Sequence, residues 1–167
     1  MIILAIDPGN TESGYAVIEM PEFKLLDFGK IKNEDLLYRI DCGEHDFDKV
    51  AVEMVACYGM PVGKDVFETC VWIGRFVQAL DSRFDVILYD QLAYIYRKEE
   101  KLTLCGSLKA KDANIKQALV NRYAKHDFKS GKGTKKNPDT FYGVSADVWQ
   151  AIAVGVTYYE LKGGAEE

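Results

Sequence analysis

The sequence has little that would divide, anchor or cross-link it. It has only four prolines and two histidines in 167 residues. No Pro/Ser-rich or repetitive stretch separates two units, so the expectation is a single domain, 1–167, with one substantial core. No apolar run approaches the roughly 20 residues a bilayer span requires, and the apolar opening Met1–Ile6 is too short for a secretory signal and ends at Asp7. These absences read as a soluble, cytoplasmic protein without a membrane partner. The four cysteines Cys42, Cys57, Cys70 and Cys105 form no CxxC pair. Their apolar contexts suggest buried free thiols in a reducing compartment, not disulfides or a zinc site. His45 and His126 stand alone, without a partner at metal-ligand spacing.

An excess of positive charge is also missing. The net charge is −5, and a uniform sphere of that charge would repel a nucleic acid. The distribution reverses this locally, because residues 97–136 hold 12 Lys/Arg against four acids, while the remainder holds 9 against 22. A basic lobe on an acidic body can hold a polyanion in one place and repel it elsewhere.

What is present reads as alternating elements. Met1–Asp7 is a buried strand, Asp7-Pro8-Gly9-Asn10 a turn, Gly14–Met20 an alternating strand and Phe23–Ile31 a third, together an antiparallel meander. A short capped helix follows at Asn33–Ile40, and a buried strand at Lys49–Glu53 ends on an acid. Val66, Cys70, Ile73, Val77 and Leu80 recur at helical spacing. Phe84–Tyr89 reads as the fifth strand, with helices at about Gln91–Glu100 and Ala110–Ala124. Lys125–Gly143 is rich in Gly, Lys, Asn and Pro and reads as a mobile basic loop. A largely buried last helix starts near Ser145 and stops at Gly163-Gly164. This order specifies an α/β fold, a mixed five-stranded sheet with helices on both faces.

Three acids fall where chemistry can use them. Asp7 ends the first strand, Glu53 ends another, and Asp147 lies in the first turn of the last helix. Singly, each has an ordinary explanation as turn initiator, solvated strand end or helix-dipole partner. Jointly, parallel neighbouring strands would set Asp7 beside Glu53, and a helix starting at that sheet edge would add Asp147. Crowded carboxylates stay ionised only when a cation neutralises them, and hard oxygen ligands select Mg²⁺, with Mn²⁺ as substitute. Two such ions about 3.5 to 4 Å apart serve phosphodiester hydrolysis.

These motifs resemble those of a known family. IDPGNTESGYAVIE is similar to the first hairpin of RuvC-type Holliday junction resolvases, members of the RNase H-like nuclease superfamily. VAVEMV resembles the family's second acidic strand, Arg97–Lys111 its basic segment and SADVWQAIAVGVT its last helix, so the likeness extends over most of the chain. The resemblance implies a metal-dependent endonuclease acting on four-way or other branched DNA as a homodimer. It implies Asp7, Glu53 and Asp147 as metal ligands. The family's fourth ligand, an acid or His, falls at Gln150, three residues after Asp147 and on the same helical face. An amide oxygen ligates Mg²⁺ less strongly than a carboxylate, so this departure bears on the second ion.

Phosphate contacts would come from the basic segment. Lys111 matches a family residue near the scissile phosphate, Arg97 and Lys101 are further carry-overs, and Lys98 and Lys109 lie beside them. The bland alternative is a solvated lysine face. In Ala56–Lys64, the family inserts an apolar wedge at the junction, and Tyr58 is the candidate here. Two other functions fit parts of the sequence. Weakened chemistry at Gln150 would leave a junction-binding protein. Asp7-Pro8-Gly9-Asn10-Thr11 also fits the phosphate loop of actin-like and sugar-kinase-like phosphotransferases, which need two domains to close on ATP.

Overall fold

The computed structural model describes residues 1–83 and 91–162. The chain opens with three strands, β1 (Ile2–Asp7), β2 (Glu12–Glu19) and β3 (Lys24–Lys32), paired antiparallel as the expected meander. Helix α1 (Asn33–Cys42) leads to β4 (Lys49–Met54), which pairs parallel with β1. Helix α2 (Lys64–Arg83) precedes β5 (Leu92–Tyr96), parallel to β4. Helices α3 (Arg97–Cys105), α4 (Asp112–Tyr123) and α5 (Ala146–Lys162) complete the fold. The sheet order is β3-β2-β1-β4-β5.

Side-chain alternation sorts the two faces of this sheet. Leu4, Ile6, Val17, Val50 and Val52 pack with Leu36 and Ile40 of α1 and with Ile73, Phe76 and Leu80 of α2. Ile3, Ala5, Ala16, Ile18, Ala51, Ala93 and Ile95 pack with α3, α4 and above all α5. The small residues let α5 lie close. A Cβ on Gly155 would meet Ile18 Cδ1 at 2.8 Å and Ala5 Cβ at 3.0 Å, so a larger residue there would lever the helix off the sheet. The low polarity of α5 follows, since Val148 and Ala151–Val156 are buried almost continuously. On the other face, Phe76 is fully enclosed, and its truncation to Ala should cost about 3–5 kcal/mol.

Several expectations need correction. The strand expected at Phe84–Tyr89 lies outside the described residues. The helix expected over Gln91–Glu100 begins only at Arg97, and its first half is β5. In LAYIY, Ala93 and Ile95 are buried while Tyr94 is exposed, a period-2 pattern whose aromatic and β-branched residues suit a strand. The buried stripe of α2 is Thr69, Ile73, Phe76 and Leu80, rotated from the expected one, and Cys70 is exposed. The cysteines are free, but none is buried: Cys42, Cys57 and Cys70 are exposed and Cys105 half-buried. Asn33 does not cap α1. Its side chain turns inward, donating to the Gly9 carbonyl (2.9 Å) and accepting from Ser13 Oγ (2.6 Å), which braces the turn that follows Asp7. Residues 124–145 form no helix or named strand, yet Phe141 is buried against Trp149 (ring centroids 4.5 Å). The Asp139 carboxylate accepts from the backbone N–H groups of Thr140, His126 and Lys125. These bonds, Thr140's foremost, hold its pKa below the usual carboxylate range.

Candidate active site

Strand register builds the centre of the site. Ile6 lies beside Val52 on the parallel β1 and β4, so Asp7 and Glu53 come next to each other one residue later, where the pairing of these two strands ends while Asp7 still pairs with Gly14 of β2 and Glu53 with Ile95 of β5. By alternation they continue the Ile3, Ala5 and Ala51 rows, and so emerge on the face covered by α5. Burial raises Asp7 from an ordinary carboxylate to a pKa of about 9, with the charge of Glu53 and a hydrogen bond shared with it adding to the rise. Asp147, in the first turn of α5, adds to that repulsion. A cavity of about 260 Å³ opens beside the pair, lined by Asp7, Glu53, Tyr58 and Arg97 among others.

Two acids of the cluster are held by cations. Lys30 of β3 reaches Asp147 Oδ2 at 2.6 Å and Glu12 at 3.5 Å. Its own pKa rises through the hydrogen bond and charge of Asp147. Arg97, at the start of α3, donates from Nη1 to Glu100 and to Gln150 Oε1 (2.5 Å), and from Nη2 to Asp112. Glu100 is completely buried and its pKa is raised to about 8, by burial first and then by the charge of Glu53, against the lowering effect of Arg97. With Asp147 turned to Lys30 and Glu100 to Arg97, no three His, Cys, Asp or Glu groups among the described residues stand in metal-holding geometry. The donors are nevertheless all hard oxygens, and their charges are balanced by a proton, an ammonium and a guanidinium. A divalent ion would replace that kind of balance.

The structure thus brings Asp7, Glu53, Asp147, Gln150 and Arg97 to one end of the sheet. Tyr58 is exposed, follows β4 with a left-handed backbone (φ 45°) and borders the same cavity. Lys98 and Lys101 lie on α3, with the Lys98 ammonium over the Tyr96 ring. Lys109 and Lys111 are exposed in the link to α4. Sequence reasoning missed two residues of the site. Lys30 carried no motif, but Glu100 had a signal, an acid in the apolar i, i+4 row that Leu104 continues on α3.

A sheet of this mixed order, with acids where its first strand and a parallel neighbour end and a helix supplying another, defines an RNase H-like nuclease fold. No family model matches the chain. Crossover junction endodeoxyribonuclease RuvC of Campylobacter concisus is 33% identical over 123 residues, which span 66% of this chain and 74% of that protein. The chain belongs to the RuvC family of crossover junction endodeoxyribonucleases. The fold is also that of Thermus thermophilus RuvC, solved with a Holliday junction substrate (TM-score 0.68, 16% identity, 98% of this chain and 96% of that one). It is shared with the fowlpox virus resolvase in complex with Holliday junction DNA (TM-score 0.52, 16% identity, 96% and 98%). Membership sets aside the phosphotransferase reading of the Asp7–Thr11 turn. Among the described residues, no helix is long and apolar enough to cross a membrane.

Proposed function

We propose that the chain is a divalent-metal-dependent endonuclease that resolves four-way and related branched DNA, working inside the cell as a single nuclease domain. The observation that carries this reading is the nearness of Asp7 and Glu53, one residue beyond the paired Ile6 and Val52 of two parallel strands, with Asp147 brought in by α5. Mg²⁺, or Mn²⁺ in its place, bound as two ions, would supply an activated water and stabilise the leaving oxygen. Asp7, Glu53 and Asp147 would hold them, with the Gln150 amide as a neutral donor.

The chain's own residues do the rest. Lys98, Lys101, Lys109 and Lys111 present positive charge beside the acidic cleft and would hold the phosphate backbone that the carboxylates repel. Arg97 borders the cavity and is the cation best placed to meet a phosphate near the cut. Tyr58, exposed at the cavity rim, would press on the bases at the branch point. Phe67 and Val71 project from α2 into solvent, an apolar face fit for a second copy. A C₂ homodimer would present two sites to the two-fold symmetric junction.

The test is cleavage of a synthetic four-way junction, with and without Mg²⁺ or Mn²⁺, by the parent and by Asp7→Asn. The expected outcome is metal-dependent paired cuts by the parent, and none by D7N, which still shifts the junction in a gel. Binding by the parent without cleavage under either metal would select the junction-binding alternative.

A further inference from the structure

One carboxylate of the site lies outside the four ligand positions that the family pattern supplies. Glu100 comes from α3, not from β1, β4 or α5, and its side chain is fully enclosed. One of its oxygens, Oε2, accepts from Arg97 Nη1. The other, Oε1, has no hydrogen-bond donor among the described residues. A polar carboxyl oxygen shut away from water without a partner is costly, and native proteins rarely retain one that nothing uses.

Its location says what could use it. Arg97 Nη1 also donates to Gln150 Oε1 at 2.5 Å. The Glu100 carboxylate and the Gln150 amide therefore rest on the same nitrogen, one from α3 and the other from the facing α5. Charge gives a second argument. Asp7, Glu53 and Asp147 with a neutral amide leave two divalent cations under-compensated, whereas a fourth carboxylate balances them. The plainer role, a buried counter-ion for Arg97, leaves Oε1 unexplained. Arg97 moreover already has an anion in the exposed Asp112, which pairs with Nη2.

We propose that Glu100 supplies, from α3, the anionic oxygen that position 150 lacks, so that the metal ligands are Asp7, Glu53, Asp147 and Glu100. Arg97 then orients the Glu100 carboxylate and competes with the second cation for it. This rests on the metal-centre reading given under Proposed function.

The experiment is Mn²⁺ binding to the DNA-free protein, by calorimetry and by electron paramagnetic resonance of free Mn²⁺, with thermal unfolding of each variant. Glu100→Gln should weaken the second Mn²⁺ by at least about tenfold, and Gln150→Ala by clearly less. Arg97→Gln should tighten it, because the competing cation is gone. A folded E100Q with the parent isotherm, or Q150A equal to E100Q in its loss, overturns the assignment. If E100Q does not fold, R97Q decides: tighter Mn²⁺ binding supports the assignment, and unchanged or weaker binding overturns it. D7N separates the two levels. If D7N loses Mn²⁺ while E100Q keeps it, only the role of Glu100 fails. If the parent binds no Mn²⁺, or D7N binds it as the parent does, the metal centre itself fails.

Discussion

Gly14 lies so close to Asp147 that a Cβ built on it would stand 2.6 Å from the Asp147 carbonyl oxygen. Gly14 is paired with Asp7 across β1 and β2, so one backbone position sets the spacing between two of the proposed ligands. Gly14→Ala must push the first turn of α5 away from the sheet, because the atom it meets is backbone. A displacement near 1 Å at a reacting centre can cost about 10²-fold in rate. G14A should therefore cut junctions on the order of 100-fold more slowly, with its junction affinity little changed. Single-turnover cleavage beside a gel shift checks this, and cleavage at the parental rate would show that the close approach does not position Asp147.

The charge balance of the cluster makes stability depend on pH, with a definite sign. Asp7 is raised to about 9 in the folded protein, whereas an unfolded Asp titrates near about 4. Between those values the native state keeps a proton that the unfolded chain has released. Stability from this group is thus fully present below about pH 4 and is lost as pH rises through about 9. Glu100, raised to about 8, acts in the same direction. Asp7→Asn removes the larger slope, so D7N should melt above the parent at pH 8.5 by on the order of 5 °C, with a smaller gap at pH 5. Mg²⁺ should stabilise the parent more at pH 8.5 than at pH 6, since ligand carboxylates bind metal by losing protons. Melting curves at these pH values, with and without Mg²⁺, measure both effects. A gap that does not widen with pH would contradict the burial and crowding described for Asp7.

Lys109 and Lys111 lie exposed in the link between α3 and α4 and make no ion pair among the described residues. Replacing both with Ala should weaken junction binding and lower the slope of log affinity against log salt by about 2, one for each lost phosphate contact. An unchanged slope would assign them to a solvated face.

The meander, the acid-terminated strand and the apolar last helix were legible because each has a composition or a punctuation that the chain shows locally: Asp-Pro-Gly after β1, an apolar run in β2, which is buried on both faces and not alternately as expected, and continuous apolarity in α5. β5 was not legible as a strand. Its five residues sit directly against the start of α3, and LAYIYRKEE read as one window has enough apolar spacing to pass for a helix. The Asp7–Glu53 pair was legible because each acid follows an apolar run that reads as a buried strand, and parallel neighbouring strands set such ends side by side. Lys30 was not legible, because sheet order brings it to the site and leaves no mark in local sequence, and Glu100 showed only as an acid in the apolar row of α3, a signal of burial that does not say what it is buried beside. Arg97 was legible as a cation but not as the group that ties Glu100, Gln150 and Asp112 together.

That tie makes the effect of an acid at position 150 depend on Glu100. From the sequence alone, Gln150→Glu or Gln150→Asp should strengthen the second metal site by adding the missing charge. In the structure, Gln150 Oε1 already rests on Arg97 Nη1 beside the Glu100 carboxylate. In the parent background a new acid meets an anion already in place, and its gain in Mg²⁺-dependent cleavage should be small. In the E100Q background the same substitution should restore at least about tenfold of the lost activity at low Mg²⁺, because it moves the carboxylate from α3 to α5 without changing the charge of the site. Both acids need testing, since their reach differs and a ligand about 1 Å out of place forfeits much of the rate. The measurement is a double-mutant cycle of cleavage over a Mg²⁺ titration, with thermal unfolding of each variant to detect an unpaired buried charge. Equal gains in both backgrounds would mean that positions 100 and 150 act independently, and that Glu100 does not stand in for the acid that α5 lacks.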